Sequence, residues 1–214
     1  LAAWRGNLDL GLGNIVGSNV ANLSLGLGVA GLISSVAISK SAINREGPIS
    51  LGAALLFSLV VIDGTLSRID GIILLVALLA VILYLVKSPS ATPEVFNETS
   101  IYKFTPNLLL ALAGLAGVLI GAQFAVTGAT RLATGWGLSG GFIGFSIVAL
   151  GTSLPELVTT IAAARQKETD LIIGNLFGSN LFNSLAVGGS MGLVGGGVLA
   201  VSYTHLTLPT TPYV

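Results

Sequence analysis

The sequence predicts an all-α polytopic membrane protein, and three observations carry that prediction. Of its 214 residues, 53% are hydrophobic and 8% are charged, against ~25% charged in a soluble domain; the mean hydropathy is +0.92. The apolar runs are far longer than the ~10-residue alternating segments of a membrane barrel, so the spans are helical. The 29 glycines suit helices whose backbones approach one another closely in lipid.

Breakers and apolar periodicity divide the chain into about six spans. The first runs from about Asp9 to Ala37. A polar turn with Lys40, Arg45 and Glu46 follows, and Pro48 opens the second span, 49–66. Residues Ser67 to Asp70 make a short turn into the third, 71–86. A proline-bearing linker, 87–105, leads to the fourth, 106–133. The fifth covers 141–164 and the sixth 171–200. Asp63, Arg68 and Asp70 are expected to cap helix ends at the second turn.

Charge sets the expected orientation. Arg5, Arg68 and Arg131 fall on one side; Lys40, Arg45, Lys87, Lys103, Arg165 and Lys167 fall on the other. The side with six is expected to be cytoplasmic, which puts linker 87–105 there. Net charge is zero, so nothing points to nucleic acid. There is no cysteine, hence no disulfide and no thiolate metal site. The chain opens on Leu1, and residues 201–214, rich in threonine and proline, are expected to be a non-native tail. The sequence is therefore expected to be a fragment cut at both ends.

A repeat recurs at an offset of 161 residues. Asp9-Leu10 matches Asp170-Leu171, and Gly13-Asn14 matches Gly174-Asn175. Gly17-Ser18-Asn19 matches Gly178-Ser179-Asn180, and Asn22 matches Asn183. The copies fall on the first and sixth spans, which cross in opposite directions. An inverted repeat of this kind surrounds the midplane site of many secondary transporters.

The chemistry concentrates in 141–189. Gly151-Thr152-Ser153-Leu154-Pro155-Glu156 places a proline and an acid inside an apolar run. A charged side chain at the centre of a membrane helix costs about 2.5–3.5 kcal/mol on insertion scales, and a bound cation would offset that cost. Pro155 lacks an N–H and crowds the carbonyl of Gly151, which loosens carbonyls from Ala149 to Thr152. Thr152 lies four residues before Glu156 and shares its face. Hydroxyls, carbonyls and one carboxylate are hard oxygen ligands, suited to Na⁺ or Ca²⁺ and not to zinc or copper. Asn175, Ser179 and Asn183 form a polar stripe, as do Asn14, Ser18 and Asn22. These amides could also serve only as hydrogen bonds between helices.

Other signals yield to physics. Gly26, Gly28 and Gly31 fit a dinucleotide pattern but sit inside a span with no strand before them. Ser153 lacks the following glycine of a nucleophile elbow, and the single histidine, His205, lies in the tail, so no serine hydrolase is expected. The sequon Asn97-Glu98-Thr99 falls in the linker, on the side expected to be cytoplasmic.

At 151–156 and 174–183 the sequence resembles the cation/Ca²⁺ exchanger superfamily, in particular bacterial-type Na⁺/Ca²⁺ antiporters. Their signature is a G-T-S-x-P-E helix followed by a G-N-x-x-G-S-N-x-x-[ND] helix; residues 13–22 carry the second half of a first copy. The resemblance covers nearly all of 6–200. It implies an inverted-repeat fold of ten helices, of which this chain supplies the third through the eighth. Residues 1–86 would hold the end of the first repeat, and 106–200 the second membrane region with its complete repeat at 141–189.

The resemblance also implies a ligand set. Glu156 would be the shared carboxylate. Thr152, Ser153 and the Ala149 carbonyl would line Na⁺ positions with Ser179, and Asn183 would stand at the centre. Ser18 and Asn22 would be the first-repeat counterparts. Some members have Asp where Asn183 stands here. The implied activity is export of Ca²⁺ from the cell as Na⁺ runs inward, by a monomeric, multi-pass protein of the cell (inner) membrane. No cofactor and no enzymatic chemistry are expected. The residues also admit a helical membrane fragment that does not transport, or an exchanger coupled to H⁺, K⁺ or Mg²⁺.

Overall fold

The computed structural model describes residues 8–88, 104–138 and 140–199. The interior of the linker, with its sequon, and the 201–214 tail lie outside these residues, as does Arg5.

Helix α1 (Leu8–Ala21) continues through a π-helical turn, π1 (Asn22–Gly26), into α2 (Leu27–Ile33) as one 26-residue rod. It stops earlier than residue 37 because Ser34 turns extended, with φ −150° and ψ 160°. A second π turn, π2 (Ala42–Glu46), leads into α3 (Gly47–Val60), with Pro48 in the first turn, where its missing N–H costs nothing. After strand β1 (Thr65–Leu66) comes α4 (Arg68–Lys87), then α5 (Phe104–Gly135). The fifth span is α6 (Gly140–Ile143), π3 (Gly144–Val148), α7 (Ala149–Thr152) and α8 (Leu154–Gln166). The last is α9 (Thr169–Phe182), π4 (Asn183–Val187) and α10 (Gly188–Gly195), closed by strand β2 (Gly197–Val198). The architecture is all-α and polytopic, as expected.

Among the described residues, four helices are long and apolar enough to cross a membrane, and the bent pair Phe145–Thr152 with Leu154–Gln166 makes up to five. The expected second span differs in extent. Its α-helix has 14 residues, about 21 Å at ~1.5 Å per residue, short of the ~30 Å hydrocarbon core. The helix ends at Val60 because Gly64 adopts φ +74° and Asp63 accepts from the Thr65 N–H and hydroxyl, both at 2.9 Å. Thr65 and Leu66 then pair antiparallel with Val198 and Gly197. At the start of α4, Ser67 and Asp70 form a reciprocal capping box, so that helix begins three residues before the expected 71.

Burial separates centre from periphery. Within their most apolar 18-residue stretches, the rods Leu8–Ile33 and Thr169–Gly195 are 39% and 44% buried, against 11% for Arg68–Lys87 and 6% for Leu108–Gly135. The two central rods run antiparallel: Leu8 faces Gly197, Asn19 meets Asn183, and Gly26 packs on Leu176. They are the two carriers of the 161-residue repeat, so the repeat is inverted in space. The π turns repeat too, opening at Asn22 in one rod and at Asn183 in the other. Such turns widen a helix and recur at functional sites. Glycines bring the rods to their neighbours. A Cβ on Gly17 would lie 2.6 Å from the Ala149 Cβ, and one on Gly71 would lie 2.7 Å from the Gly189 carbonyl.

Candidate cation site

The fifth span breaks at Ser153. That residue sits at φ −90°, ψ 0° between α7 and α8, and the two halves bend by 49°. Pro155 sets the break: it has no N–H for the Gly151 carbonyl, and it occupies the first turn of α8, where a helix tolerates it. Glu156 therefore stands in the first turn of α8, at the helix end whose dipole favours negative charge. Its Oε2 is buried and has no hydrogen-bond partner among the described residues. A buried carboxylate oxygen without a donor is costly, and a cation is the partner that would relieve it.

The oxygens around the break come from both repeats. Ser18 Oγ lies 3.1 Å from Thr152 Oγ1 and donates to the Ala149 carbonyl at 3.3 Å. Thr152 Oγ1 lies 2.8 Å from Asn14 Oδ1 and 3.2 Å from the Ala149 carbonyl. The Ala149 carbonyl also accepts the Ser153 N–H at 3.1 Å, so the carbonyl expected to be loosened holds one helical bond as well as contacts from two hydroxyls. Oxygens this close can share one cation at about 2.3–2.6 Å from each. Ser18 and Ser153 are buried, Glu156 is half-buried and Thr152 is exposed. Ser153 and Asn22 line a narrow cleft whose remaining walls include Leu150, Leu157 and Leu176.

The second rod meets the site from the other side. Asn175 donates to the Glu156 backbone carbonyl at 3.1 Å and to Thr160 Oγ1 at 3.2 Å, tying α9 to the first turns of α8. Ser179 is half-buried on α9, between Asn175 and Asn183 in the four-residue stripe. Asn183 opens π4 and donates to Asn19 Oδ1 at 3.2 Å. Asn22 opens π1 and donates to Asn180 Oδ1 at 2.9 Å. Thus Ser18, Ala149 and Thr152 come together, Ser153 shares a cleft with Asn22, and Asn183 belongs to an amide cluster between the rods. Sequence reasoning gave no role to Asn19 and Asn180, although the repeat contains both. Among the described residues no three His, Cys, Asp or Glu side chains group together, so neutral oxygens and one carboxylate make up the donor set.

A family described as Sodium/calcium exchanger protein matches residues 1–87 and 106–214. The chain is 36% identical over 209 residues to CaxA of Alkalimonas amylolytica, covering 92% of this chain and 65% of that protein. It is 35% identical to the inner membrane protein YrbG of Escherichia coli K12, over 87% and 60% of the two chains. It is 28% identical to the sodium/calcium exchanger MaX1 of Methanosarcina acetivorans, over 85% and 64%. It superimposes on the sodium-calcium exchanger NCX_Mj soaked with Na⁺ and Sr²⁺ with a TM-score of 0.73 at 32% identity, over 93% of this chain and 65% of that one. The same exchanger soaked with Na⁺ and Ca²⁺ gives a TM-score of 0.67 at 32% identity, over 91% and 63%. The chain thus spans under two thirds of the length of these relatives. With both halves matched and the inverted repeat in place, the chain belongs to the sodium/calcium exchanger family.

Proposed function

We propose that this chain forms the core of a secondary antiporter that exchanges Ca²⁺ for Na⁺ by alternating access. The family is one of transporters and not of enzymes. The observation that carries the reading is the buried, unpartnered Oε2 of Glu156 at a break in a membrane helix, the same break at which hydroxyls of both repeats come within 3.1 Å of each other. Glu156 neutralises the ion. Ser18, Thr152, Ser153, Ser179, the Ala149 carbonyl and the amides of Asn22 and Asn183 replace its water. Opposite-side access follows from the inverted repeat: two related halves rock about a fixed site, and occupancy by one ion or the other permits the switch. The charge asymmetry of the loops supports a cytoplasmic linker 87–105 in a cell membrane, and on that reading Na⁺ entry drives Ca²⁺ out.

Asn183 favours a second reading. A neutral amide there, hydrogen-bonded to Asn19, brings one negative charge fewer to a divalent ion than an aspartate would. Exchange coupled to H⁺ or K⁺ fits that lower charge. The test is ⁴⁵Ca²⁺ uptake into vesicles containing the protein extended to its relatives' full length. Uptake that requires an opposing Na⁺ gradient supports Na⁺/Ca²⁺ exchange. Uptake driven instead by an H⁺ or K⁺ gradient supports the second reading.

A further inference from the structure

The two repeat rods are joined by a crossed set of amides, and a backbone carbonyl fixes the orientation of one pair. Asn180 Nδ2 lies 3.3 Å from the backbone carbonyl of Asn19. A carbonyl only accepts, so Asn180 must present its NH₂ there. Its Oδ1 then faces Asn22, 2.9 Å away, and Asn22 must donate with Nδ2. The amide of Asn22 is thereby turned so that its own oxygen is released from the rod contact, and Asn22 lines the cleft shared with Ser153. The mirror pair repeats the amide-to-amide bond, with the Ser184 hydroxyl, which can donate or accept, in place of the carbonyl anchor. Asn183 donates to Asn19 Oδ1 at 3.2 Å, and Asn19 donates to Ser184 Oγ at 3.0 Å. The 161-residue repeat exchanges Asn19 with Asn180 and Asn22 with Asn183, so the two pairs are the same contact made twice.

We propose that Asn19 and Asn180 are positioning residues, each holding the other repeat's site asparagine so that its carbonyl oxygen and not its NH₂ is offered to the ion. The inference rests on the cation reading above. An amide turned the other way would aim two N–H donors at a cation. Asn22 and Asn180 are each 3% exposed, so no bulk water corrects a wrong orientation. The alternative role, hydrogen bonds that only hold the rods together, makes a different prediction.

The test is a pair of substitutions in two backgrounds, read as half-saturating Ca²⁺ concentration and maximal rate in the vesicle uptake of the full-length protein. Asn180→Leu keeps the branching of the side chain, though with more bulk, and removes both bonds. In the wild-type background it raises the half-saturating concentration about tenfold, the scale of one lost hydrogen bond, and leaves the maximal rate near wild type. In an Asn22→Asp background the same substitution leaves the half-saturating concentration unchanged, because a carboxylate has an oxygen on either side and needs no orientation. The mirror pair, Asn19→Leu with and without Asn183→Asp, is run alongside and behaves alike. An equal rise in both backgrounds, or loss of both leucine variants from the membrane, identifies a packing role and overturns the proposal. A wild-type protein with no cation-dependent uptake at all overturns the cation reading beneath it.

Discussion

Ser18 Oγ stands 3.1 Å from Thr152 Oγ1, although 134 residues separate them in the chain. One belongs to the first-repeat rod and the other to the broken helix of the second repeat. Their hydroxyls and the Ala149 carbonyl, which both approach, make an oxygen cluster that neither repeat builds alone. Ser18→Ala removes one oxygen and leaves the fold's contacts in place. We expect the half-saturating cation concentration in vesicle uptake to rise about tenfold, the scale of one hydrogen bond or ligand oxygen. An unchanged value would remove Ser18 from the ion's surroundings.

Gly17 and Gly178 occupy equivalent repeat positions but differ in what they touch. A Cβ at Gly17 would collide with the Phe145 carbonyl and sit 2.6 Å from Ala149, whereas one at Gly178 meets nothing within 4 Å in this chain. Gly17→Ala is expected to cost about 1–3 kcal/mol by overpacking, lowering the thermal midpoint of the detergent-solubilised 214-residue chain by at least about 2 °C. Gly178→Ala leaves that midpoint unmoved. Equal effects would mean that α1 does not pack on π3 and α7 as described.

Asp63 gives a pH dependence outside the membrane spans. The Thr65 N–H first, then the Thr65 hydroxyl, hold its carboxyl below the ordinary value of 3.8. A depressed folded-state pKa contributes stability that is present above the unfolded value and lost as pH falls through the folded one. Asp63→Asn keeps an acceptor for Thr65 and cannot titrate. The midpoint of the wild type should therefore fall relative to the variant as pH drops below about 4. Parallel curves down to strong acid would show that the turn does not hold that carboxylate.

The sequence made visible what depends on local rules. Pro155 announced the break because a missing N–H acts on the same helix, and the break is at Ser153. The repeat announced the antiparallel rods because matching residues can be counted. Ser67 and Asp70 cap α4 as a local pair would. What stayed hidden depends on partners distant in the chain. The segment after α3 is held from afar: Thr65 and Leu66 pair with Val198 and Gly197, and Leu199 donates to the Gly64 carbonyl at 2.8 Å, contacts no local pattern encodes. Asn19 and Asn180 looked like incidental repeat members because their role lies in the crossing of two rods. Asn175, whose role the spacing left open, ties the Glu156 backbone to α9.

The central claim is that Glu156 supplies the charge that holds the ion, and Glu156→Gln in the full-length protein tests it most directly. The change is nearly isosteric, and only one uncharged amide replaces the carboxylate. The account predicts that Na⁺-gradient-driven ⁴⁵Ca²⁺ uptake is abolished while the amount of protein in the membrane stays close to wild type. Wild-type uptake by the glutamine variant would contradict it.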